Sequence, residues 1–106
     1  MEKALIVVDM QNDFLLNEGS LNLGHDTTDL RKAVAEFVKN FDGKMYFTYD
    51  SHLEDDCEFS AFPKHCVAGT IGAKLVDEIS KAIPLNTVSG KSAEFIAKKS
   101  FTGGLS

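Results

Sequence analysis

The chain has 106 residues, 43% hydrophobic and 25% charged, with a formal net charge of -5 at pH 7. That is one domain's worth of ordinary globular sequence, read as a single unit over 1–106 with room for only a modest core. No apolar run approaches the ~20 residues of a membrane span, and no cluster of Lys or Arg points to nucleic acid or an anionic membrane as partner.

The opening MEKALIVVDMQ has too short an apolar core for a signal peptide, so the expected setting is cytoplasmic. Cys57 and Cys66 fit no CxxC spacing and are expected to be thiols. Ala4 to Val8 (ALIVV) suits a strand buried on both faces of a parallel sheet. It ends at Asp9, which either caps the next turn or faces a ligand at a strand's carboxyl end. Gln11, Asn12 and Asp13 follow as loop, and Phe14 to Leu16 should fold inward, with Phe14 as core filler or pocket wall. Asn17 to Gly24 reads as loop. Asp26 to Phe41 reads as a helix with an acidic start, its apolar positions Leu30, Val34, Phe37, Val38 and Phe41, closed by Asp42-Gly43. His25, just before it, reads as a surface residue.

Lys44 to Tyr49 is aromatic-rich and forms the second strand. Strand, helix, strand predicts a right-handed crossover with parallel strands, so Asp9 and Asp50 should meet at one edge. Asp50 and His52, two residues apart on an extended segment, point the same way. With Glu58 and His65 they make a set of two imidazoles and two carboxylates within sixteen residues. Mixed N/O ligation suits Zn, Fe(II) or Mn(II) better than Ca or Mg. Against that, His65 could cap the next helix and Glu58 could stand in solvent. Glu54 to Asp56 reads as a solvated acidic run. A second helix is expected over about Gly72 to Ile83, stopped by Pro84, with Leu75, Val76, Ile79, Ala82 and Ile83 on its apolar face. Gly90-Lys91-Ser92 lacks the partner glycine of a phosphate loop. Glu94 to Ala97 is apolar enough for a third strand, with Lys98 at its carboxyl end beside Asp9 and Asp50, or simply as surface charge.

Four stretches in order, ALIVVDMQNDF, FTYDSH, FPKHCVAGTIGAKL and KKSFTG, resemble the motifs of the isochorismatase-like cysteine hydrolases, and among these the metal-binding nicotinamidases (pyrazinamidases) most. The resemblance covers nearly the whole chain. It implies an α/β fold, the N-terminal half of a doubly wound parallel sheet in a Rossmann-like three-layer arrangement. It also implies hydrolysis of a small amide, nicotinamide to nicotinate plus ammonia, through a cysteine thioester. By the resemblance Asp9 is the catalytic aspartate and Lys98 the catalytic lysine, since Phe101-Thr102 follows Lys98 at the family's spacing. Asp50, His52 and His65 match the metal ligands, with Glu58 as the fourth in a Glu-type subgroup. The ion is one divalent metal, zinc first, with iron or manganese as alternatives. Phe14 and Phe62 match pocket aromatics, and Gln11 is grouped with the substrate-binding residues.

The family's nucleophilic cysteine matches neither Cys57 nor Cys66. The expectation is an incomplete enzyme, inactive alone, that needs a second chain or a missing C-terminal half, with homo-oligomers a further option. Two alternatives stand beside it. One is another hydrolase of the family, such as one acting on a vinyl ether, although those generally lack the Asp-x-His ligands. The other is a non-catalytic fragment that folds only with a partner chain.

Overall fold

The computed structural model describes residues 3–83 and 92–98, and of Glu58 only the backbone. Pro84, the Gly90-Lys91 pair, Lys99 and Phe101-Thr102 lie outside the described residues. Three parallel strands run in the order β1 (Ala4–Val8), β2 (Lys44–Asp50) and β3 (Ser92–Lys98). The register pairs Val8 with Thr48, and Asp50 with Lys98. Parallel pairing puts the three carboxyl ends on one edge, so Asp9, Asp50 and Lys98 meet there. The third strand is longer than the expected Glu94–Ala97 and includes Lys98 as its last residue.

Between β1 and β2 the chain forms a single turn, α1 (Asn12–Leu15), and then α2 (Thr28–Asn40). The helix starts two residues after the expected Asp26. Asp26 instead stands outside and accepts hydrogen bonds from the hydroxyl and the backbone N–H of Thr28. These bonds hold its carboxyl below the usual carboxylate range. Thr27 is buried and donates its hydroxyl to the Leu15 carbonyl, tying α2 to α1. Val38 of α2 is buried against the sheet, while Leu30 and Phe37, expected on the same apolar stripe, are exposed. Gly43 enters β2 at φ +147, and a Cβ there would sit 3.0 Å from the Lys3 carbonyl oxygen, so glycine is required at this turn.

The helix expected over Gly72–Ile83 is broken. Ile71–Ala73 is a 3-10 turn, and α3 covers only Asp77–Ala82. Between them the backbone serves the first strand's loop instead of a helix. The N–H of Asn12 donates to the Lys74 carbonyl, the N–H of Val76 to the Met10 carbonyl, and Leu75 bridges to Gln11. Apolar spacing cannot reveal such long-range pairing. Arg31 of α2 bonds to Glu78 of α3, joining the two helices on the same side of the sheet.

The core consists of Val7, Met10, Leu15, Val38, Met45, Phe47, Val76 and Ile79. Among the described residues it lies on one face of the sheet only. Ile6 and Val8 are 62% and 60% exposed, and Ile96 shares their face by register. Among the described residues β1 is therefore not buried on both faces, although its unbroken apolar run is the composition of such a strand. Among the described residues no helix is long and apolar enough to cross a membrane.

Candidate active site and metal centre

β1 ends where Asp9 turns into the left-handed region, at φ +54. A non-glycine residue there costs about 1 kcal/mol or more and is frequent at working sites. The turn brings the Asp9 carboxylate across to the ends of the other two strands. Its Oδ1 accepts the hydroxyl of Thr48 at 2.9 Å, and its Oδ2 accepts the ammonium of Lys98. Lys98 Nζ also lies 3.1 Å from Asp50 Oδ1. The hydrogen bond that Lys98 donates to Asp9, then that to Asp50, holds its ammonium above the usual lysine range despite partial desolvation. Lys98 is therefore a fixed cation at neutral pH and not a base.

Asp50 continues the chain of contacts on its other oxygen. His52 Nε2 is 3.6 Å from Asp50 Oδ2, and the His52 and His65 rings meet edge to face with centroids 4.8 Å apart. One ligand atom each from Asp50, His52 and His65 lies within 4.8 Å of the others. An ion with bonds of about 2 Å needs only small side-chain shifts to take all three, and three protein ligands leave positions open. Both histidines are buried. His65 Nδ1 is 2.7 Å from the Pro63 carbonyl, which can only accept, so that nitrogen carries a proton. One carboxylate and two imidazoles suit Zn, Fe(II) or Mn(II). Glu58 stands in the 3-10 turn Cys57–Ser60, and its side chain lies outside the described part of the structure.

Gln11 is fully buried. Its side-chain oxygen accepts from the Asp50 N–H at 2.9 Å, and its nitrogen donates to the carbonyls of Asp50 and Ala73 at 2.8 and 2.7 Å. The amide thus clamps the backbone of Asp50. Phe14 meets the His65 ring at 5.6 Å between centroids, whereas Phe62 is exposed on the loop.

Three residues that sequence reading did not single out shape the site. Phe59 packs edge-on against both imidazoles, at 5.3 and 5.5 Å. Asp56 is 3% exposed and its Oδ2 lies 2.9 Å from His52 Nδ1, which corrects the reading of Glu54 to Asp56 as a solvated run. The only sequence signal for it was its spacing four residues after His52. Asp13, read only as loop, accepts the N–H of Cys66 at 2.7 Å and so holds the left-handed turn (φ +49) directly after His65. Gly72 makes room for that carboxylate, since a Cβ there would fall 2.1 Å from Asp13 Oδ2. The N–H of His52 donates to the Cys66 carbonyl, fastening the loop to the end of β2.

Cys66 is buried, and burial, reinforced by the charges of Asp13, Asp50 and Asp9, pushes its thiol up to about 12. At pH 8 that leaves about one thiolate in 10⁴, too little for a nucleophile. Cys57 is exposed. Brief alkylation of the folded protein at pH 8 should therefore label Cys57 alone, and alkylation in denaturant should label both, as read by mass spectrometry. Equal labelling of both in the folded state would contradict the buried, protonated Cys66.

Residues 3–94 match the family model of the isochorismatase domain. An isochorismatase family protein of Bacillus subtilis (strain 168), PncA, is 36% identical over 92 residues, which cover 80% of this chain and 48% of that protein. Among solved structures, the nicotinamidase/pyrazinamidase of Bacillus subtilis aligns with a TM-score of 0.68 at 29% identity, over 92% of this chain and 56% of that one. The pyrazinamidase of Pyrococcus horikoshii, solved in complex with zinc, aligns with a TM-score of 0.67 at 30% identity, over 94% and 54%. That of Streptococcus mutans gives 0.70 at 28%, over 92% and 57%. The chain spans about half the length of these relatives, and its three-stranded parallel sheet with helices matches their α/β fold.

Proposed function

Because the chain belongs to the isochorismatase family, we propose that it supplies the acid–base pair and the metal site of a nicotinamidase-type amide hydrolase. The substrate is nicotinamide or a closely related ring carboxamide, the products the carboxylate and ammonia. The observation that carries this reading is the contact of Lys98 with both Asp9 and Asp50, beside His52 and His65, at one strand edge. Two neighbouring structures are of nicotinamidase/pyrazinamidases and a third is of a pyrazinamidase in complex with zinc, which supports the substrate class and the metal.

An amide carbon needs a strong nucleophile, and a thiolate is one when a nearby cation favours it. Cys66 is buried and neither it nor Cys57 matches the family's nucleophile, so on this reading the reacting thiol is supplied by a second chain or a C-terminal half that packs against this one. The bare face of Ile6, Val8 and Ile96 supports such a partner, since apolar sheet surface of that kind is ordinarily covered. Lys98 favours the thiolate by charge. Asp9 takes the thiol proton as sulfur attacks the carboxamide carbon, and returns it to nitrogen as ammonia leaves. Asp9 then removes a proton from water as oxygen attacks the thioester, and the thiol is regenerated. Thr48 holds one oxygen of Asp9, which leaves the other to exchange protons beside Lys98.

Asp50, His52 and His65 would hold the divalent ion, and Glu58 is the fourth ligand only by the family resemblance. An ion held there would supply a fixed positive charge against which the substrate's ring nitrogen could be oriented. A cytoplasmic setting fits thiol chemistry of this kind. The test is ammonia release from nicotinamide by the protein together with whatever chain co-purifies with it, before and after chelation. Hydrolysis that falls on chelation and returns with zinc or manganese is expected. Hydrolysis of a vinyl ether but not of nicotinamide, by an assembly that holds no metal, would favour the other family activity.

A further inference from the structure

The two imidazoles of the proposed metal centre are held by different acceptors. His65 leans on a neutral backbone carbonyl, that of Pro63. His52 leans on the carboxylate of Asp56, with Nδ1 at 2.9 Å from Oδ2. Asp56 belongs to an acidic run whose other members, Glu54 and Asp55, are exposed, yet its own side chain is buried. Taking a carboxylate out of water is costly unless a donor compensates it, so burial of this one acid has a local cause. The chain builds a turn to put it there. The N–H of Asp56 donates to the Leu53 carbonyl, and the Asp56 carbonyl accepts from Phe59, whose ring then packs against both imidazoles.

We propose that Asp56 is a positioning residue for the metal centre. It keeps the proton of His52 on Nδ1, aims Nε2 at the space shared with Asp50 and His65, and makes His52 a stronger donor than a carbonyl-backed imidazole. An outer carboxylate of this kind fixes both the tautomer and the ring plane of a metal-binding histidine. The inference rests on the reading of Asp50, His52 and His65 as metal ligands, and the test separates the two.

Zinc affinity of the intact protein is measured by competition with a chromophoric chelator, for the wild type and for His52→Ala, Asp56→Ala and Asp56→Asn. One zinc per chain is expected in the wild type, with binding lost in His52→Ala. Asp56→Ala should bind about 10–100-fold more weakly. Asp56→Asn should recover part of that loss, because an amide oxygen still accepts from Nδ1–H without the charge. In the zinc-loaded wild type, nitrogen NMR of the histidine rings should show the His52 proton on Nδ1. Wild-type affinity in Asp56→Ala, with binding lost in His52→Ala, would overturn the role of Asp56 and leave the metal reading intact. Zinc binding unchanged in His52→Ala would overturn the metal reading itself. Should Asp56→Ala fail to fold, the wild-type NMR still decides, since a His52 proton on Nε2 with zinc at Nδ1 excludes the proposed role.

Discussion

Asp9→Asn should lower amide hydrolysis by the complete enzyme about 10²–10⁴-fold, the range typical of a lost general acid/base. The substitution is close to isosteric. An asparagine oxygen can still accept the Thr48 hydroxyl, so the turn at the end of β1 should survive. What disappears is the carboxylate proposed to accept and return a proton, together with one of the two anions on Lys98. Asp50 remains beside Lys98, and the triplet of Asp50, His52 and His65 is untouched, so zinc content at saturating metal should equal that of the wild type. Turnover and metal content are measured on the same preparation. Turnover within a few-fold of the wild type would remove Asp9 from the mechanism. A parallel fall in metal content would mean that Asp9 acts through the fold of the site instead of through a proton.

The second large effect is expected at Gln11. Gln11→Leu keeps the volume but removes three hydrogen bonds, leaving the Asp50 N–H and the carbonyls of Asp50 and Ala73 without this partner. Each of these part-buried groups, if stranded away from water, costs about 1–3 kcal/mol, which for the three puts the variant roughly 3–9 kcal/mol below the wild type. Against a total stability of about 5–15 kcal/mol, that is a drop of about 12 °C or more in Tm, or outright unfolding. Gln11→Glu is the informative companion. It keeps an acceptor for the Asp50 N–H but turns a carboxylate oxygen toward two carbonyls, so it too should destabilise. Thermal unfolding with added zinc reads both variants. A Tm within 2–3 °C of the wild type in both, roughly half a kcal/mol, would mean that water replaces the clamp.

These two residues stand two positions apart, yet they differ in how far the sequence discloses them. Asp9 is legible because it breaks an apolar run at a strand's end, and a parallel crossover brings strand ends together whatever the loops do. Asp50, His52 and His65 are legible for a related reason: residue type and close spacing suffice to suggest ligation. Lys98 is less so, since only the third strand's register, with Asp50 opposite Lys98, turns a surface-charge reading into a contact with two carboxylates. The resemblance of four ordered motifs to the isochorismatase-like hydrolases carried the family, and the match over residues 3–94 agrees with it.

By itself, then, the sequence determined the strand–helix–strand order, the parallel edge and the chemical type of the site, because periodicity and composition are local properties that survive whatever surrounds them. The tertiary structure alone decided the rest. It split the expected helix over Gly72–Ile83, because Lys74, Leu75 and Val76 give their backbone groups to the loop after β1, about 60 residues earlier. It closed Gln11 around the backbone of Asp50, and it separated buried Asp56 from its exposed acidic neighbours. It also left one face of β1 open, although the residues themselves are those of a strand covered on both sides. In each case the deciding quantity is a hydrogen bond or a buried surface shared between distant segments. A pattern along one segment states what that segment can bury or donate, and only the folded chain states who receives it.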